Sequence, residues 1–182
     1  MSALAMKLQA HRDRLGLKGH RAAQWLDAHG IAVPTAPNTW AYSGDSSAGD
    51  ALLVARLGAA EFFLEEGAGG PVLSRVSPLL DRPVPGVYPV LREDWGFHLA
   101  GGRADEILAQ VCNVNFAALA LDARPLIMTL MIGVAVLIVP QSAGTAERQY
   151  RIWCDPTFGP YLGESLGAVV NECGGRYTGV SE

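Results

Sequence analysis

Leu17-Lys-Gly19-His-Arg21-Ala22-Ala-Gln-Trp25-Leu26 and Leu99-Ala-Gly101-Gly-Arg103-Ala104-Asp-Glu-Ile107-Leu108 are two imperfect copies of one pattern, 82 positions apart. Each reads as an apolar strand end, a glycine turn, and a helix opened by Arg-Ala with an apolar pair four residues after the arginine. The offset is close to half of the 182 residues. A repeat at half length predicts two pseudo-symmetric strand–helix halves.

Working outward from the first copy, the helix over 21–29 is expected to stop at Gly30, a glycine C-cap, with Trp25 and Leu26 on its buried side. Residues 31–38 read as an extended loop and 42–50 as a Gly/Ser/Asp turn. Ala51–Leu57 and Glu61–Glu65 read as a strand hairpin, followed by a glycine-rich turn over 66–71. Around the second copy, a strand over 95–99 leads into the helix over 103–112. The residues from Gln149 to Cys154 alternate as a strand. Asp155-Pro156 reads as a cap and first turn of a closing helix, Phe158 to Glu172. Tyr161, Leu162, Leu166 and Val169 fall on one stripe of that helix, and Gly174-Gly175 stops it.

These elements predict an α+β chain with a largely antiparallel sheet. Residues 1–14 read as a polar lead-in. Residues 15–182 read as one domain of two half-repeats, about 15–73 and 95–175. The seam over 74–94 carries Pro78, Pro83, Pro85 and Pro89.

From Pro125 to Ala146 no residue is charged. The apolar run inside this stretch, 126–139, is bracketed by Pro125 and Pro140 and broken by Gly133. It is shorter than the ~20 residues a membrane-spanning helix needs, and its second half is rich in β-branched residues. A buried strand is the expected reading, with Gly133 at a bulge, a bend or a close backbone contact. The apolar content, 49% of residues, supports a core and points to a surface that a partner covers.

Chemistry is thinly signalled. Eighteen acidic residues against fourteen basic give a net charge of −4 with no basic stripe, which argues against nucleic acid. Cys112, Cys154 and Cys173 are widely spaced, so neither a disulfide framework nor a zinc site is expected, and a cytoplasmic setting fits. His11, His20, His29 and His98 lack metal-ligand spacing, and a Cys nucleophile has only His98 as a late partner. No phosphate loop, dinucleotide fingerprint or nucleophile elbow occurs. Glu65-Glu66 and Glu93-Asp94 read as solvated turn charges whose neighbours point apart. Arg151, Trp153, Asp155 and Tyr161 form a polar-aromatic cluster of the kind that lines pockets or interfaces. Equally, Trp153 fills core and Asp155 caps the helix.

The stretch Phe97-His-Leu-Ala-Gly-Gly-Arg-Ala-Asp-Glu-Ile-Leu-Ala-Gln-Val-Cys112 resembles the strand–Gly–helix opening of the aminomethyltransferase fold, and is most similar to the gamma-subunit family of heterotetrameric sarcosine oxidases. The likeness extends through segments similar to Tyr150–Trp153 and Pro160–Leu162. It covers roughly 97–172 well and 15–66 weakly. The resemblance implies membership of a complex that removes N-methyl groups and hands the released formaldehyde to tetrahydrofolate. Folate-using members carry an Asp just after the helix. Here the helix end reads Cys112-Asn113-Val114-Asn115, and Asn115 stands where the gamma-type pattern has Asp. A neutral amide cannot serve as a proton-handling carboxylate.

The resemblance therefore implies an accessory gamma-type subunit with no active site of its own and no metal. Its partners would be the catalytic subunits of an N-demethylating amine oxidase, dehydrogenase or monooxygenase of the sarcosine or methylamine class. Flavin or haem is expected on those subunits and tetrahydrofolate in the complex. Asn113, Asn115, Arg151, Trp153 and Tyr161 are the folate-like or interface candidates. The alternative is a free-standing folate-binding one-carbon transfer protein.

Overall fold

The computed structural model describes residues 2–9, 12–44, 51–67, 69–142 and 147–179. Strand β1 (Ala5–Leu8) and strand β2 (Arg12–Lys18) are neighbours in sequence but belong to different units. One unit is residues 11–92; the other joins residues 1–10 to 93–182. The expected polar lead-in is thus a correction. Met6 is fully buried, because β1 supplies an apolar residue to a core made mostly by the far half of the chain.

The 11–92 unit runs β2, α1 (Ala22–Ala28), β3 (Thr39–Ser43), β4 (Leu52–Gly58), β5 (Glu61–Gly67), α2 (Pro71–Val76) and β6 (Tyr88–Val90). Its sheet has the order β3-β4-β5-β2-β6, and all its pairs are antiparallel. Leu15, Leu17, Val54, Phe62 and Leu64 meet Ala22, Leu26, Leu73 and Val76 of the two helices in one core. Three elements differ from expectation. β3 forms between the extended loop expected over 31–38 and the turn expected over 42–50, taking the first two residues of that turn, and α2 and β6 occupy the last residue of the glycine-rich turn and parts of the proline-rich seam. The prolines permit both: Pro71 sits at the first turn of α2, where no N–H is needed, and Pro89 lies on the sheet's edge strand. Much of the expected 42–50 turn lies outside the described residues.

The other unit continues with β7 (Trp95–Ala100), α3 (Ala104–Val111), β8 (Ile127–Met131), β9 (Val134–Ser142), β10 (Arg148–Cys154), α4 (Gly159–Glu172) and β11 (Arg176–Thr178). Its sheet order is β11-β1-β7-β10-β9-β8, with β11 parallel to β1 and the remaining pairs antiparallel. Read from β8, the order β8-β9-β10-β7 repeats β3-β4-β5-β2 element for element. The position of β6 is taken by β1, and β11 adds a sixth strand. α3 and α4 cover one face, where Phe97, Leu99, Tyr150, Ile152, Ile107, Leu108, Leu162 and Leu166 are buried together.

The repeated turn is the same structure twice. Gly19 and Gly101 have φ of +125° and +118°, and the first residue of each helix donates its N–H to that glycine's carbonyl at 3.0 Å. A Cβ on Gly19 would lie 2.2 Å from the carbonyl oxygen of Gly86, and one on Gly101 2.6 Å from that of Ala3. Each turn therefore demands glycine twice over, for its dihedral and for the close approach. Gly30, at φ +76°, ends α1 as expected.

The apolar run 126–139 is two strands, not one. Ile132 and Gly133, both at positive φ, make the two-residue turn of a tight hairpin. In α4 the buried stripe is Leu162, Leu166 and Val170 with Gly159, Gly163 and Gly167 between them; Tyr161 points outward. The glycines admit aromatic rings: a Cβ at Gly159 would strike Trp95, and one at Gly167 would strike Tyr177.

The acidic pair Glu65-Glu66 is also corrected. The two carboxylates do point to opposite faces of β5, but both are buried. Glu65 stands opposite Arg14 in the β2–β5 register and pairs with the guanidiniums of Arg14 and Arg12 at 2.6 and 3.0 Å. Glu66, on the helix side, accepts the backbone N–H groups of Val72 and Leu73 at 3.1 and 2.9 Å and so caps α2. Partners make burial affordable for each charge.

Candidate functional site

The five candidate residues occupy three places. Asn113 and Asn115 stand exposed on the loop that follows α3. That loop is fixed at its start. Cys112 bridges to Met131 of β8, and the Ile132 N–H donates to the Val111 carbonyl at 3.1 Å. Further along, Phe116 is buried edge-on against Tyr150, with ring centroids 5.5 Å apart.

Arg148, at the start of β10, completes the clamp. Its guanidinium donates to the carbonyls of Phe116, Ala117 and Leu119 at 2.6, 2.9 and 3.2 Å, and its Nε lies 3.7 Å from the Asp105 carboxylate. The Tyr150 hydroxyl donates to the same carboxylate, and burial together with that carboxylate pushes its pKa up. The loop thus presents two side-chain amides from a rigid base. Each amide can donate and accept hydrogen bonds, but neither titrates near neutral pH. Arg148 has no local signature: its role appears only once β10 brings it beside a loop some thirty positions earlier.

Arg151 and Trp153 lie together on β10, on the sheet face opposite α3 and α4. Both are buried, with the guanidinium 5.3 Å from the Trp153 ring centroid. Across the strands, Lys7, His98 and Arg151 stand in one register row, and Gln149 holds the His98 ring at 3.0 Å. Burial lowers the His98 pKa, the Gln149 hydrogen bond opposes it, and Lys7 lowers it further. Tyr161 is on the outer side of α4, 51% exposed, with the helix and the core between it and Arg151. Asp155 takes the capping role, accepting the Thr157 N–H at 2.8 Å.

The thiols sit apart from His98. Cys154 faces the helix-side core, and burial, reinforced by Asp94 and Asp155, pushes its pKa up to about 11. Cys112 is buried beside Thr129. A Cys–His pair like that of a thiol nucleophile is not formed by Cys154, since His98 is on the other face. Among the described residues, no three His, Cys, Asp or Glu side chains gather as a metal site, and no helix is long and apolar enough to cross a membrane. In the 11–92 unit two open grooves, of about 340 and 280 Å³, flank the Val84–Val87 turn; Trp25, Gln24 and Pro85 line the larger, Leu80 and Tyr88 the smaller.

Compared with solved structures, the chain superimposes on a chain of the heterotetrameric sarcosine oxidase from Corynebacterium sp. U-96, solved with pyrrole 2-carboxylate. The TM-score is 0.71 at 20% identity, over 93% of this chain and 84% of that one. The fold is aminomethyltransferase-like. The glycine cleavage system aminomethyltransferase T from Bartonella henselae matches with TM-score 0.66 at 19% identity, over 98% of this chain. The match spans only 48% of that longer protein, so the chain corresponds to about half of it. No family model matches the chain, and neither does any curated protein. The resemblance read from Phe97–Cys112 and the α+β class with its antiparallel sheets both agree with these structures.

Proposed function

We propose that this chain is an accessory, non-catalytic gamma-type subunit of an N-demethylating amine-oxidising complex of the sarcosine or methylamine class. Its partners are the catalytic subunits, which carry flavin or haem, and the complex passes formaldehyde to tetrahydrofolate. A cytoplasmic setting goes with this reading. The observation that carries it is the match in extent. The chain corresponds to most of a sarcosine oxidase chain but to half of an aminomethyltransferase. The loop after α3 adds support, since Asn113 and Asn115 offer amides where a carboxylate would be needed to move a proton.

The test is co-expression of the tagged chain with the neighbouring genes of its operon, followed by size-exclusion chromatography and mass spectrometry. Co-elution with flavin- or haem-bearing subunits is the expected result. A lone monomer or homodimer would overturn the reading. The alternative, a free-standing folate-binding protein, draws on the coverage of this chain by the aminomethyltransferase. Tetrahydrofolate titration of the isolated chain separates the two, because saturable binding and one-carbon transfer without partners belong only to the alternative.

A further inference from the structure

The β8–β9 hairpin has the composition of a strand pair buried on both faces, yet one face is open towards the turn. On the helix side, Met131, Val134, Val136 and Ile138 are buried in the core. On the opposite side the register places Met128 beside Leu137 and Leu130 beside Ala135. Met128 is 54% exposed and Leu130 61% exposed; Ala135 is exposed and Leu137 half-buried. Antiparallel strands with one wet face normally alternate apolar with polar residues, and edge strands normally carry a charge or a proline. β8 ends its sheet and has neither within 127–131.

We infer that this open face, centred on Met128, Leu130, Ala135 and Leu137, is where the chain docks on a catalytic partner subunit, through an uncharged apolar patch on that partner. The inference rests on the accessory-subunit reading and adds the face that the assembly uses. Charge selects the class of occupant. The 125–146 stretch is free of charge, and the residues flanking it, Arg124 and Glu147, are of opposite sign. An anionic membrane surface or a nucleic acid would be met by clustered cations, and no residue within 125–146 is charged. An uncharged centre containing Met is instead the make-up of a protein–protein interface core.

Area argues against a second copy of this chain. A two-fold axis through the hairpin would oppose the same four small to medium side chains. They bury far less than the roughly 1,200 Å² at which stable protein pairs begin. A larger partner can extend its contact onto the adjoining loop, whose conformation Arg148 already holds, so little ordering is lost on binding.

The test uses the co-expressed complex. The double variant Met128→Glu with Leu130→Glu places charge on positions that are exposed in the single chain, so its thermal midpoint should stay near wild type. Leu91→Glu, at a residue 81% exposed in the other unit, is the control. Retention of the redox subunits on the tagged chain should fall at least tenfold for the double variant and remain unchanged for the control. Should the double variant misfold, hydrogen exchange on wild type decides: amides of 127–138 should slow on assembly. Wild-type binding matched by the double variant, or no slowing in 127–138, overturns this inference alone. A wild-type homodimer that the double variant dissolves overturns it in favour of a second copy. Failure of wild type to assemble with any redox subunit removes the accessory reading and this inference with it.

Discussion

Substituting Gly101 by alanine tests the repeat most directly. At φ +118° the residue lies in a region that L side chains rarely adopt, which costs about 1–3 kcal/mol. The new Cβ would also stand 2.6 Å from both the carbonyl oxygen of Ala3 and the Cα of Leu4. Those are backbone atoms, so no side chain can swing away. The chain leading into β1 must retreat by roughly 1 Å to reach ordinary contact, which adds about 1–3 kcal/mol as overpacking does. Gly30→Ala is the matched control: it also has positive φ, +76°, but nothing lies within 4 Å of its Cβ, so only about 1–2 kcal/mol applies. Gly101→Ala is therefore expected to lose about 2–6 kcal/mol, a drop on the order of 10 °C in Tm for a chain of this size. Gly19→Ala should behave alike, since its Cβ meets the Gly86 carbonyl. Urea and thermal unfolding followed by tryptophan fluorescence give the comparison. If Gly101→Ala is no more destabilising than Gly30→Ala, the close approach of backbone to turn is not what demands glycine.

Glu66→Ala removes the acceptor for the Val72 and Leu73 N–H groups from a buried site and should destabilise by about 2 kcal/mol in the same assay; a neutral result would deny the capping role. His98 gives a pH signature. Its pKa is lowered in the folded chain, so the unfolded chain takes up the proton first as pH falls. The stability tied to its neutral form is present above the ordinary value of about 6.5 and is lost as pH drops through it towards the lower folded value. His98→Gln should flatten the stability curve between about pH 7 and pH 5, and parallel curves would sink this assignment. For the thiols, an aromatic disulfide reagent at mildly alkaline pH should label Cys173 in the native protein. Buried Cys112 and Cys154 should react only after unfolding, as peptide mapping would show.

What the sequence shows plainly is whatever it encodes locally. The Leu–Gly–Arg–Ala turn specifies a strand end, a glycine-only dihedral and a helix start within ten residues, and both copies fold alike. Hairpin β4–β5, Asp155 as a cap and Gly30 as a stop are legible for the same reason. Features that depend on distant partners are not. Glu65 and Glu66 look like turn charges until β2 sets Arg14 opposite one and α2 offers its N–H groups to the other. β1 looks like a polar lead-in because the core that buries Met6 is built from residues beyond 93. The 126–139 run hides its turn because Ile132, a β-branched residue, occupies a positive φ that sequence rules assign to Asn or Gly.

The candidate site divides along the same line. Asn113 and Asn115 follow a helix end that the repeat locates, so their loop is found from sequence. Its rigidity is not, because Arg148 and Tyr150 reach it from β10 through three carbonyls, a phenyl ring and a shared carboxylate. Such a clamp is more than an irregular surface loop needs merely to close a chain, since loops of this length tolerate variation. It makes physical sense where a fixed surface is to be met by another molecule, as binding then loses less conformational entropy. The amides themselves carry no proton chemistry, and the hairpin beside them is open, apolar and uncharged. Loop and hairpin are joined at the Cys112–Met131 bridge, which ties the start of the loop to the edge strand β8. On the accessory reading proposed above, meeting a partner is the task this edge would perform.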